Sequence, residues 1–379
     1  MAAIDRLRGL VMILMALDHV RDFVAPTNFR PDDPEATTLA LFATRWVTHF
    51  CAPVFVLLTG VGAWLRQSKV GAGPTARWLL QRGLWLIALE ILVVNPLWLA
   101  TSWRLSGYWF FVQVIWAIGW GLIFLAALVR LRPRIVAIVM GSLIALHHVV
   151  DDWWPKTRAL RPIWSLLHEG FSWIPLGDAT GLRVIYPLIP WIFLLALGWS
   201  MGPLLADADA SRRDRRLRTI GVAMILAFIA LRFANVYGDP SRWSTSGRGL
   251  AFTTVSFLAC SKYPPSLLYL LMTLGPALLA LPALGRLGGG AGRFLEVFGR
   301  VPLFYYLAHL ALAQLAASLN AWLAGWPIGF WFAARPPGFE PHLGLVYAIW
   351  ASIVVVLFPV CRAYDRLKSS RRRAWTAWL

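Results

Sequence analysis

The sequence predicts an all-α polytopic membrane protein: one domain over residues 1–379, a helical bundle of about ten transmembrane helices with both termini on the cytoplasmic side. Three observations predict it. The chain is 59% hydrophobic and only 14% charged, with 22 tryptophans, too little polar surface to cover a soluble core of 379 residues. Its apolar residues fall into runs of roughly 17 to 22, about what a helix needs to cross ~30 Å of hydrocarbon. Basic residues, finally, rise and fall along the chain in step with those runs.

The runs lie near 9–25, 46–65, 83–100, 108–129, 135–150, 185–204, 219–236, 264–284, 301–322 and 343–361. With the N-terminus inside, the inner segments carry Arg6 and Arg8, then Arg66, Lys69, Arg77 and Arg82, then Arg130, Arg132 and Arg134. Further on they carry Arg212 to Arg218, then Arg286, Arg293 and Arg300, then Arg362 to Arg373, which together make the larger share of the 36 lysines and arginines. The bias holds at every alternation, so the net charge of +18 reads as topology and attraction to anionic lipid, with no nucleic-acid partner.

The first run, Gly9 to Leu17, leads straight into Asp18, His19, Arg21 and Asp22 without a small-x-small cleavage site, as expected of a retained span rather than a signal peptide. His19 then lies about 15 Å along the helix from Gly9, near mid-membrane. Asp18, Arg21 and Asp22 share one helical face, so Arg21 can pair with either carboxylate. His19 is three residues from Asp22, close enough for a carboxylate to orient the imidazole. A charge at a helix centre costs about 2.5–3.5 kcal/mol on insertion, so such groups face a cavity or one another. The plainer alternative is a helix end whose charges snorkel to the interface; it suits Arg21 and Asp22 better than Asp18 and His19.

The second run brings in Arg45 and His49 at its outer end, and Pro53 one turn later is expected to kink it. Glu90 lies in the third run, Gln113 in the fourth and His309 in the ninth, roughly 10 Å in from the cytoplasmic edge. Each of these has interhelical hydrogen bonding as its plainer role. His147-His148 with Asp151-Asp152 has metal-ligand types but no converging third ligand, so packing is the reading and no metal is expected. Three long outer connections, 26–45, 151–184 and 237–263, are rich in Trp, Pro and Asp, where tryptophans commonly anchor at the interface. Gly285 to Gly292 reads as a flexible inner loop without the ending of a phosphate loop. Three cysteines are too few for a disulfide framework, although Cys51 and Cys260 both lie outward. No internal repeat is visible, which disfavours transporter folds built from duplicated halves.

A histidine near mid-membrane suits proton abstraction from a hydroxyl or amine, with a neighbouring carboxylate fixing its tautomer. His19, Asp18, Asp22 and His49 are therefore the candidate catalytic residues, and Arg21, Arg45, Gln113, Lys262 and His309 the candidates for substrate binding. No serine-hydrolase elbow, zinc-protease helix, Walker loop or dinucleotide fingerprint is present, and an activated donor from outside would remove the need for one.

Several segments resemble bacterial members of the heparan-α-glucosaminide N-acetyltransferase-like family, within the wider transmembrane acyltransferases. They are Ile4 to Leu10 with Asp18 to Phe23, His49 to Phe55, Gln113 to Gly119, Tyr186 to Trp191, Lys262 to Leu267 and Gly299 to Tyr306, spread over nearly the whole chain. The resemblance implies transfer of an acyl (acetyl) group from cytoplasmic acyl-CoA to a sugar or other hydroxyl or amine acceptor on the far side of a bacterial inner membrane. It also implies a histidine in the membrane domain as base or acyl carrier. The family's His-x-x-Trp-Asn-Gly segment between the first two spans has no counterpart in 26–45, so His19 and His49 stand in on physical grounds. Acyl-CoA phosphates would need cations at the inner face, for which Arg6, Arg8, Arg82 and Arg300 are the candidates. The expected partners are the lipid bilayer, acyl-CoA and a glycan or lipid-linked acceptor, and homodimer assembly is compatible with them. The alternative is a proton-coupled transporter or flippase using the same cluster as a proton relay; a third is a membrane partner subunit without catalysis.

Overall fold

The computed structural model describes residues 2–99, 109–178, 180–325 and 342–370. Helix α1 (Ala2–Val24) is followed by α2 (Leu39–Thr48), opened by the Thr38 hydroxyl accepting from the Leu41 N–H, and by α3 (Cys51–Val70). Next come α4 (Ala72–Leu89), a π-helical turn (Glu90–Val94), α5 (Asn95–Leu99), strand β1 (Trp109–Val112), α6 (Val114–Leu128) and α7 (Pro133–Leu146). The connection after α7 holds α8 (Arg161–His168), β2 (Ser172–Pro175) and β3 (Gly181–Val184). Then follow α9 (Leu188–Ser200), α10 (Gly202–Leu205), α11 (Ala210–Ala234) and α12 (Leu250–Leu258). The chain continues through α13 (Leu267–Arg286), α14 (Gly289–Arg300), α15 (Pro302–Leu323) and α16 (Leu343–Ser370). Asp209 and Ser266 cap α11 and α13 through backbone N–H groups, and proline opens α7 and α15, where no intrahelical donor is lost.

Seven of the described helical stretches are long and apolar enough to cross a membrane: Leu39–Val70, Ala72–Leu99, Pro133–Val150, Ala210–Ala234, Leu267–Arg286, Pro302–Leu323 and Leu343–Ser370. The protein is thus an all-α polytopic membrane protein. Of the other three expected spans, α1 is long enough but charged at both ends, while α6 and α9 have only 15 and 13 residues.

Several local expectations are corrected. The interruption expected from Pro53 falls at His49 and Phe50, one turn before it, where the missing proline N–H leaves the His49 carbonyl to accept from the Tyr269 hydroxyl. The apolar run 108–129 divides into a strand and a helix, because β1 pairs in parallel with β3, which pairs antiparallel with β2. The glycine-rich stretch becomes helical from Gly289 onward, where α14 lies against α1. Cys51, Cys260 and Cys361 are all unbridged.

Glycine lets the helices that carry the site approach backbone to backbone, the packing expected where no hydrophobic difference separates helix from lipid. A Cβ on Gly9 would lie 1.9 Å from the Leu295 carbonyl oxygen, and one on Gly299 1.8 Å from that of Asp5, which seats α14 on the basic end of α1. Gly60 and Gly198 make the same reciprocal contact between α3 and α9. On another side α1 is held by the Trp350 indole, which donates to the Ile13 carbonyl at 2.8 Å. α1 also packs on α13 and α15, so it runs through the middle of the bundle.

Candidate active site

The charged end of α1 closes around Asp18. Its carboxylate accepts from Arg21 Nη2 at 2.9 Å, from Arg45 Nη1 at 2.6 and 2.8 Å, and from the Thr48 hydroxyl at 2.8 Å. Arg21 Nη2 also donates to Asp22 at 2.6 Å, so the arginine pairs with both carboxylates rather than with one. Helix α2 presents Arg45 and Thr48 to Asp18; Arg45 was expected at the end of the outer connection 26–45 and Thr48 inside the second span. Arg21 and Asp18 are buried, whereas 41% of the Asp22 side chain is exposed.

His19 is not oriented by Asp18 or Asp22, because Asp18 is fully engaged by cations and Asp22 is held by Arg21. Its partner is His309 of α15: His19 Nδ1 lies 2.7 Å from His309 Nε2, and the rings are nearly parallel at 5.0 Å. His309 Nδ1 lies 2.7 Å from the Tyr305 carbonyl oxygen, one turn earlier. A carbonyl only accepts, so His309 Nδ1 is the donor there, and in the neutral ring Nε2 is the acceptor. His19 Nδ1 must then donate, which leaves His19 Nε2 as a bare lone pair. Trp98 and Tyr306 pack edge-on against the His19 ring at 5.3 and 5.9 Å.

His49 lies above this centre, fully enclosed, with Nε2 4.0 Å from Asp32 and its backbone carbonyl accepting from the Tyr269 hydroxyl at 2.7 Å. Asp32, in the loop before α2, is paired with Arg30 at 3.1 Å. Burial works against its charge, but Arg45 and Arg30 outweigh burial and hold the Asp32 carboxyl at about 2, below its ordinary 3.8. Lys262 is buried in the turn before α13, its ammonium over the faces of Tyr263 at 5.1 Å and Tyr186 at 5.9 Å. Burial raises the Tyr263 phenol, yet Lys262 and Arg45 overcome it and hold that phenol below its usual value. Gln113 is not brought to this centre; it precedes α6, where the Glu90 carboxyl lies against the first backbone N–H groups of the helix.

At the opposite, basic end two clefts open side by side. The first, about 360 Å³, lies between α1 and α3 and is lined by Asp5 and Arg8 together with Gly62, Leu65, Arg66 and Lys69. The second, about 540 Å³, is lined by Arg66, Gly73, Arg77, Trp78, Gln81 and Arg130, with the Arg66 guanidinium 4.8 Å over the Trp78 ring. Of the four arginines expected to meet phosphate, only Arg8 lines either cleft. Arg6 is bound to Glu296 and to the Leu284 and Gly285 carbonyls, Arg300 to Glu296 and Asp365, and Arg82 lies by Tyr364 and Lys368 of α16. Arg66, Lys69, Arg77 and Arg130 were visible in the sequence only as orientation charges. Among the described residues no three His, Cys, Asp or Glu side chains converge as a metal site, and His147, His148 and His168 are tied to the Ile144 carbonyl and Asp151 instead.

The chain is thus a multi-pass membrane protein with a histidine pair between two of its helices and basic clefts at one end. The family model for heparan-alpha-glucosaminide N-acetyltransferase, catalytic, matches residues 1–238, and the chain belongs to that family. The match includes α1, α2 and the two clefts, while Lys262 and His309 lie beyond it. No curated protein matches the chain.

Proposed function

We propose that the protein transfers an acetyl group from cytoplasmic acetyl-CoA to a hydroxyl or amine of a sugar-like acceptor reached from the outer face, with His19 as general base. The observation that carries this reading is the chain His19 Nδ1–His309 Nε2, His309 Nδ1–Tyr305 carbonyl, which presents His19 Nε2 as a proton acceptor. His19 Nε2 takes the acceptor's proton as its oxygen or nitrogen attacks the thioester carbonyl. The C–S bond then breaks, and the CoA thiolate leaves with the proton returned from His19. His309 is a positioning residue, and Asp18 with Arg21, Arg45 and Asp22 forms a rigid charged frame beside the base. His49, enclosed against Asp32 and Tyr269, belongs to that frame.

The clefts supply the donor's end of the route. Arg8 and His19 are eleven residues apart on α1, three full turns, so they share a face about 16 Å apart along the axis. That separation is of the order of an extended pantetheine arm. A nucleotide held by Arg66, Arg77 and Arg130 with its base against Trp78 would place the thioester end towards His19.

The test is transfer by protein in sealed vesicles given labelled acetyl-CoA on the basic side. Label in acceptor on the opposite side, without a pH gradient, supports the reading. Uptake driven by a pH gradient with no affinity for CoA would instead establish the transporter.

A further inference from the structure

Three buried cations, Arg21, Arg45 and Lys262, gather around Asp18 beside His19, and only two carboxylates, Asp18 and Asp22, stand with them. Asp32 is already matched by Arg30. Lys262 is 4% exposed and lies close enough to Asp18, Asp22, His19 and His49 to act on each electrostatically. Among the described residues no carboxylate comes within 4.0 Å of it; its ammonium meets only Tyr186 and Tyr263. The guanidinium groups are also under-used. Arg21 spends a single nitrogen, Nη2, on both carboxylates, while its Nε and Nη1 are buried without an acceptor, as is Nε of Arg45. Buried guanidinium N–H groups rarely go unmatched, because they are donors only and carry full charge. Asp22, on the same face of α1, is the half-exposed member of the cluster.

We infer that the acceptor is anionic: its carboxylate or phosphate docks on Lys262, Arg21 and Arg45 and holds the nucleophile over His19 Nε2. One surplus positive charge and several unmatched donors fit an oxyanion, which offers several acceptor lone pairs on one charged group, and they would repel a cationic acceptor. This inference rests on the acyltransfer reading for its orientation, but it is tested by binding alone.

The measurement is equilibrium binding to the full chain in phosphatidylcholine nanodiscs, with glucosamine, glucosamine 6-phosphate and muramic acid as probes. These share an amino sugar and differ in their anionic group. The wild type is expected to bind at least one of the two acidic sugars about tenfold or more tighter than glucosamine, with the margin shrinking as salt rises. Lys262→Gln should abolish the margin and Lys262→Arg should retain most of it. Whichever acidic sugar wins identifies carboxylate or phosphate as the docked group. Equal binding of all three, a margin that survives Lys262→Gln, binding of none of them, or Lys262-dependent capture of phosphatidylglycerol without either acidic sugar would each overturn the inference. Should Lys262→Gln fail to fold, equal affinities in the wild type or their insensitivity to salt decide against it. Loss of acetyl transfer with the binding margin intact would count against the base, not against the anion site.

Discussion

His309→Phe tests the positioning of the base without touching the base itself. Phenylalanine fills much of the imidazole's volume in a pocket where His309 is fully buried, but it removes the acceptor for His19 Nδ1–H and the donor to the Tyr305 carbonyl. A buried hydrogen-bonding group stripped of its partner costs about 1–3 kcal/mol. If His19 keeps its tautomer only through His309, most of that cost falls on the transition state, where Nε2 must be aligned with the departing proton. At about 1.4 kcal/mol per factor of ten, the expected fall in kcat is about 5- to 150-fold. The assay is steady-state acetyl transfer in detergent, with KM for acetyl-CoA measured in parallel. KM should stay near the wild-type value, since the clefts lie at the other end of α1, and His309→Gln, which keeps an acceptor within reach, should recover part of kcat. Turnover unchanged in His309→Phe, with the fold intact by thermal unfolding, would refute the relay.

Three more outcomes follow from the same structure. A Cβ added at Gly62 meets nothing within 4 Å and points into the open cleft that Gly62 lines, so Gly62→Phe should fold normally while filling the 360 Å³ cleft, raising KM for acetyl-CoA by about tenfold or more; an unchanged KM would remove that cleft from the donor route. Gly9→Val should drive α14 off α1 and lower stability by about 1–3 kcal/mol or more, read as a drop in Tm, and an unshifted Tm would contradict the close helix crossing. Asp32 is depressed to about 2 in the fold against 3.8, so its contribution of about 2 kcal/mol is complete above pH 4 and lost as pH falls through about 2. The Tm difference between wild type and Asp32→Asn should therefore be large at pH 6 and close as pH approaches 2; a constant difference would mean that the carboxylate's charge is not what stabilises the loop.

Much of this site was legible in the sequence. Charges within an apolar run cost too much to be incidental, so Asp18, His19, Arg21 and Asp22 declared themselves, and the three-residue spacing matched the Arg21–Asp18 pair, whereas Arg21 and Asp22 are sequence neighbours. What the sequence could not show is which helices touch. His19 and His309 are 290 positions apart, and nothing in either segment says that the two side chains meet. With His309 out of view, the nearest carboxylates looked like the orienting groups. The clefts were hidden for a related reason: Arg66, Arg77 and Arg130 are indistinguishable from orientation charges until α3, α4 and α6 are seen to leave a gap between them. The small sheet was lost inside an apolar run, because a strand pairing with residues some seventy positions away has no local periodic signal. And the start of α14 looked like a loop because Gly288, Gly289 and Gly290 face open space, while the glycine that makes the crossing, Gly299, lies beyond the glycine-rich stretch.

The most direct test of the account is acetyl-CoA turnover by purified protein carrying His19→Asn, beside His49→Ala. Asparagine preserves a donor towards His309 while removing the basic lone pair, so the account predicts a fall of about 10²- to 10⁴-fold in kcat with acetyl-CoA binding retained, and a much smaller loss for His49→Ala. Turnover that survives His19→Asn, or that collapses only in His49→Ala, would contradict it.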